Sequence, residues 1–144
     1  MSEISPSLIV VCGFLLSYSL WDVMSVGRAK ERHGMFKLSY KDVPAKMPEE
    51  VYLSQRAQMN QVEQMPVFMV GTFSCALLVN GKVAAVLGLI WGVLRRMYAS
   101  TYRKSVGIPF KDIGLARYTI PCYFVCNAMV AAACVHSLRC LLDI

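Results

Sequence analysis

Histidine is nearly absent from this chain: two occur in 144 residues, His33 and His136, far apart in sequence. Cys122 and Cys126 share a helix face by spacing, but no nearby His or carboxylate completes a ligand set, so no metal centre is expected. There is no internal repeat and no low-complexity tract, which sets solenoids and flexible linkers aside. Met1-Ser2-Glu3 lacks the basic n-region of a signal peptide, and the apolar block behind it is too long for a typical h-region. That block is therefore expected to be a helix of the protein. The six cysteines, Cys12, Cys75, Cys122, Cys126, Cys134 and Cys140, lie within or at the ends of apolar blocks. None sits in a long polar loop, so they read as small buried or lipid-facing residues rather than a disulfide framework. Cys140, near the C-terminal end, also has the placement of a lipidated cysteine.

What the chain does have is apolar material in blocks. It is 56% hydrophobic, more than a soluble domain of this length requires. Leu8 to Gly27, Pro66 to Val79, Val83 to Leu94 and Tyr118 to Leu138 are the blocks. A spanning helix needs about 20 mostly apolar residues. The first and fourth reach that alone; the second and third do so only with their polar flanks. The expected fold is all-α, an integral membrane four-helix bundle in a single domain, with helices over about 7–30, 49–79, 82–102 and 112–139. Asn80-Gly81 predicts a tight turn between the second and third. The second helix, running from Glu49 to Val79 at 1.5 Å per residue, is roughly 46 Å long, so its first turns project beyond a ~30 Å bilayer core. Glu49 and Glu50 in its first turn complement the helix dipole. The loop from Glu31 to Pro48 is expected to be partly irregular.

Charge sets an orientation. Of 15 basic residues, Arg28, Lys30, Arg32, Lys37, Lys41, Lys46 and Arg56 lie between the first two blocks, and Arg95, Arg96, Arg103, Lys104, Lys111 and Arg117 between the last two. Only Lys82 and Arg139 remain for the other side. The positive-inside rule then puts both basic loops in the cytosol and both termini on the non-cytosolic side. Topology accounts for the net charge of +6, and no nucleic-acid partner is needed to explain it.

The chemistry concentrates at the head of the second helix. Arg56, Asn60 and Glu63 fall at i, i+4 and i+7 and stack on one face over two turns, while Gln61 and Val62 point elsewhere. A cation, an amide and a carboxylate in a row can bind a zwitterion, the arginine taking a carboxylate and the glutamate an ammonium. They can equally close a polar seam between helices. Pro66 removes one backbone bond and bares a carbonyl near Val62. On the third helix Arg95, Tyr98 and Tyr102 fall at i, i+3 and i+7. They are either an aromatic belt with snorkelling arginines or a phenol and cation lining the same cavity as the stripe. Asp22 is an ionisable group within the first apolar block, expected to hydrogen-bond inside the bundle or to join the site.

Gln55 to Pro66, Gln-Arg-Ala-Gln-x-Asn-x-x-Glu-x-x-Pro, resembles the signature of the MAPEG family, the membrane-associated proteins of eicosanoid and glutathione metabolism. The likeness extends over nearly the whole chain. On Arg32 to Tyr40 and Leu94 to Tyr102 it points to the type 3 microsomal glutathione transferase branch. The resemblance implies a homotrimer in an endoplasmic reticulum or mitochondrial membrane, with glutathione bound between neighbouring subunits near the cytosolic side. It implies that Arg56, Asn60 and Glu63 hold glutathione, with Gln58 as a neighbouring contact, and that Tyr98 and Tyr102 touch the tripeptide. It also implies a basic residue of the first helix closing the site, Arg28 by register, with Lys30 or Arg32 in its place if the loop shifts that register.

Two departures stand out. Gln64 occupies a position where several members carry an aromatic residue. The arginine that activates the thiol in the family aligns near Pro109, and no arginine lies between Lys104 and Arg117. Arg103, Lys104 or Lys111 are the substitutes within reach. The expected function is a glutathione-dependent membrane enzyme that conjugates lipophilic electrophiles or reduces lipid hydroperoxides. The rival expectation is a non-catalytic lipid-presenting scaffold or a structural subunit of a larger membrane assembly. An unrelated four-span transporter would need polar residues lining several spans to the midplane, and the third and fourth helices show little of that.

Overall fold

A computed structural model of the chain describes residues 4–37 and 47–142. The middle of the first loop, 38–46 with Tyr40, Lys41, Pro44 and Lys46, lies outside the described residues. Much of the loop expected to be partly irregular, and part of the Arg32 to Tyr40 likeness, therefore fall outside them.

Four helices carry the fold, with no strand among the described residues. They are α1 (Ser5–Arg32), α2 (Glu49–Leu78), α3 (Gly81–Arg103) and α4 (Ala116–Leu141). The first three begin and end within two residues of expectation. The fourth starts four residues later than predicted, because Gly114 takes a left-handed φ of 68°. A short 3-10 turn, Phe110–Asp112, precedes that break.

The chain is an integral membrane protein by this architecture. α1, α3 and α4 are long and apolar enough to cross a bilayer. α2, at 30 residues, is long enough, but its first half is too polar to qualify with them. Large apolar side chains such as Ile9, Leu77, Leu89, Phe124 and Leu141 cover the outside of the bundle, as a lipid-facing surface requires.

α2 and α3 form an antiparallel hairpin. The Asn80 side chain accepts from the Lys82 and Val83 amides at 2.9 and 3.1 Å, capping α3. α4 packs on both members of that hairpin, the first half of α1 packs mainly on α3, and its second half on α2. Phe68 and Trp91 stack at 4.0 Å, and Phe14 meets both rings edge-on. Gly88 lets α1 approach α3 there, since a Cβ at that position would meet Val10 at 3.2 Å.

α1 is interrupted in register. Between Ser5–Ser17 and Met24–Arg32 the chain widens into a π-helical segment, Tyr18–Val23. Three serine hydroxyls around it bond back to carbonyls of the preceding turn, Ser17 to Phe14, Ser19 to Leu15 and Ser25 to Trp21. Such side-chain competition loosens the ordinary ladder. The segment carries Asp22, fully buried against α3.

Candidate functional site

The polar half of α2 divides into faces, as 3.6 residues per turn demands. Arg56 and Glu63 lie on one exposed face as a 3.4 Å ion pair, with side chains 46% and 49% exposed. Asn60 sits between them and donates to the Tyr98 hydroxyl at 2.6 Å. The stripe is thus joined directly to α3. Tyr98 and Tyr102 are both buried and stack at 5.9 Å with their rings 21° apart, and Phe110 meets Tyr102 edge-on. The second core cluster, with Leu53, Ala57 and Ala99, fixes this pair. Pro66 lies inside α2, which continues past it to Leu78.

Gln61 proves more central than its position off the stripe suggested. It is fully buried. Its amide donates to the Arg95 carbonyl at 2.9 Å and its oxygen accepts from Arg95 Nε at 2.9 Å. Arg95 also donates to the Asn60 carbonyl and lies 4.8 Å over the Tyr98 ring. It is a buried bundle residue, 3% exposed, not a snorkelling one. Its partners are dipoles and aromatic faces, so its charge is solvated but not neutralised.

The remaining candidates scatter. Gln58 faces α1, donating to the Tyr18 hydroxyl at 3.1 Å. It also lines a groove of about 420 Å³ along the outside of α2 with Tyr52, Gln55, Arg56, Met59 and Val62. Gln64 donates to the Tyr123 hydroxyl of α4 at 3.1 Å. Arg28 is exposed on α1, and Lys104 is exposed just past α3. Arg103 is turned away from the tyrosines: it pairs with Asp22, which Arg96 also engages. The structure brings Arg56, Asn60, Glu63 and Tyr98 together with Tyr102 beside them, and does not bring Arg28, Arg103 or Lys104 to that group within one chain.

Near the ends of α1 and α2, Arg32 and His33 both reach Glu50, at 2.7 and 3.1 Å. The His33 hydrogen bond is the largest influence on the Glu50 carboxyl; burial opposes it, and the Arg32 hydrogen bond and charge add to it, so the carboxyl stays below its ordinary value. This clamp sets the position of α1 at the same end of the bundle as the stripe.

Comparison with known proteins places the whole arrangement. A protein of Synechocystis sp. (strain ATCC 27184 / PCC 6803 / Kazusa), itself named only as uncharacterized, is 32% identical over 101 residues, covering 69% of this chain and 68% of its own. The sequence model of the MAPEG family matches residues 7–133, a stretch that contains the stripe, both tyrosines, the whole of α2 and α3 and most of α1 and α4. With α2 carrying that stripe against Tyr98, the chain belongs to the MAPEG family.

Proposed function

We propose that the protein is a glutathione-dependent membrane enzyme of the microsomal transferase type, acting on lipophilic electrophiles or lipid hydroperoxides. The observation that carries this reading is the 2.6 Å bond from Asn60 to Tyr98. It turns a helix stripe into a two-helix surface with a cation, an amide, a carboxylate and a phenol in fixed order. Arg56 and Glu63 hold each other only loosely and stay half-exposed, so each is open to an opposite charge on a ligand. The guanidinium suits a carboxylate of the tripeptide and the glutamate suits its ammonium. When bound, glutathione supplies a thiolate that adds to an electrophilic carbon or gives electrons to a hydroperoxide. The chain's part is to hold the tripeptide at the membrane surface where a lipophilic partner arrives, which is catalysis by proximity. A positive charge near the sulfur would favour its ionised form.

The stripe is open on one chain, which suits a homotrimer with a site completed by Arg28 of a neighbouring copy. The basic loops support a site on the cytosolic side, and the family likeness suits an endoplasmic reticulum or mitochondrial membrane. Within the family, the segments Arg32 to Tyr40 and Leu94 to Tyr102 favour a protein of the type 3 transferase branch.

One observation favours the second reading, a scaffold or structural subunit. The cation nearest in sequence to the tyrosines, Arg103, is held by Asp22. Titrating the purified protein with glutathione while following thiolate absorbance separates the readings. The enzyme binds at millimolar glutathione or below and shows the thiolate band. Binding without the band supports the scaffold, and no binding at all sinks the glutathione reading.

A further inference from the structure

The flank of α3 away from Tyr98 forms a different feature with α1. Arg96 and Arg103 both donate to Asp22, whose side chain is 0% exposed, while theirs remain 24% and 16% exposed. Two guanidinium groups against one carboxylate leave one unit of positive charge uncompensated among the described residues. Each guanidinium has five N–H donors, and the bond to Asp22 uses only one end of it. These arginines line a groove of about 550 Å³ together with Trp21, Ser100 and Thr101. Trp21 stands 5.4 Å from the Arg96 guanidinium.

At Arg96 and Ser17 this groove meets a second one, about 450 Å³, which continues between α1 and α3 over Gly13, Leu89, Gly92 and Val93. The order along the bundle is thus a cationic, hydroxyl-lined head near the end of α3 and an apolar trough running toward the bilayer interior. A charge left uncompensated at such a depth is costly, and the missing anion must arrive on a molecule whose other part is apolar.

We propose that this α1/α3 groove binds an anionic phospholipid, its phosphate against Arg96 and Arg103 and an acyl chain in the trough past Gly13. A free phosphate matches the head but leaves the trough unused; a zwitterionic lipid fills the trough but brings its own cation to the arginines. The site lies on the opposite flank of α3 from the Tyr98 stripe, so it stands or falls independently of glutathione binding.

The test uses the intrinsic fluorescence of Trp21, which is exposed, against Trp91, which is buried in the core. The full chain is reconstituted in phosphatidylcholine vesicles containing a minor share of phosphatidylglycerol, with bromine on the acyl chains of one lipid at a time. Brominated phosphatidylglycerol should quench with roughly fivefold higher apparent affinity than brominated phosphatidylcholine, the scale expected of one basic charge meeting an anionic lipid. Trp21→Phe should remove the quenched emission. Millimolar inorganic phosphate should not displace the lipid. Gly13→Leu should bring the preference close to one. A Cβ at Gly13 meets nothing within 4 Å, so this variant fills the trough without touching the ion pairs. Asp22→Asn with Arg96→Gln and Arg103→Gln should abolish the preference as well. Equal quenching by the two lipids would reduce the groove to ordinary annular contact and overturn the proposal. Loss of the preference on adding phosphate would make it a plain anion site, an unchanged preference in Gly13→Leu would remove the trough from it, and no quenching by either lipid would mean another copy covers this face. Each of these also overturns it.

Discussion

The two flanks of α3 bury arginines in opposite ways. Facing α2, Arg95 is surrounded by a side-chain amide, a backbone carbonyl and aromatic faces, with no carboxylate in its hydrogen-bond set. Facing α1, Arg96 and Arg103 converge on Asp22. The first arrangement orients: it fixes Gln61, the Asn60 backbone and the Tyr98 ring with one side chain. The second fastens: it ties the π-helical segment of α1 to α3 by direct charge. Adjacent residues of one helix thus serve a candidate site on one side and helix attachment on the other.

The comparison breaks most visibly at Asp22. Asp22→Ala leaves two partly buried arginines facing each other without an anion. Removing one partner of a buried ion pair costs roughly 3 kcal/mol or more, so thermal unfolding in detergent should shift sharply downward. Glutathione affinity of the fraction that stays folded should be unchanged, because the α2-facing flank is intact. If affinity falls in step with stability, the two flanks are not separate.

Gln61→Leu tests the other flank. It removes two hydrogen bonds to Arg95 and leaves a charged donor short of a partner in the bundle, a loss of about 2 kcal/mol. Here stability and glutathione affinity should fall together, since Arg95 also carries the Tyr98 ring and the Asn60 backbone. A stability loss with normal binding would separate the orienting role from the site.

The stripe behaves differently again. The Arg56–Glu63 pair is long and half-exposed, so Arg56→Ala or Glu63→Ala should change stability by under about 0.5 kcal/mol. If the stripe holds glutathione, each should weaken binding about tenfold or more, the equivalent of one charge-assisted hydrogen bond. Two variants with normal binding would leave the stripe as a seam between helices.

Much of this was legible in the sequence. Apolar blocks marked the four helices, Asn80-Gly81 marked the hairpin, and the i, i+4, i+7 spacing placed Arg56, Asn60 and Glu63 on one face. What escaped were pairings between distant residues. Asp22 is separated by 74 and 81 residues from its two arginines, and periodicity along one helix says nothing of its neighbour. A usable signal was present: Arg96 and Arg103 stand at i, i+7, and an acid in an apolar block needs a cation opposite it. Gln61 lies off the stripe, and off the exposed stripe is where a buried residue belongs. The π-helical turn had no sequence signature beyond the serines around it.

The smallest expected effect lies at the junction of α1 and α2. Glu50 is held below its ordinary carboxylate range by His33 and Arg32. A carboxylate depressed in the folded state binds fewer protons than in the unfolded chain, so its contribution is fully present above its ordinary value of 4.5 and is lost as pH falls through that value and below. The group is partly exposed, and solvent screening keeps the contribution small. Lowering the pH from neutral toward 4 should therefore loosen this end before the Phe14–Phe68–Trp91 core yields, seen as faster amide exchange around His33 and Val51 at an unchanged overall unfolding temperature. Glu50→Gln should show the faster exchange already at neutral pH and lose its dependence on acid. Should the core loosen first, the clamp is an ornament of the loop, and the packing of α1 on α2 and α3 holds it in register without the clamp.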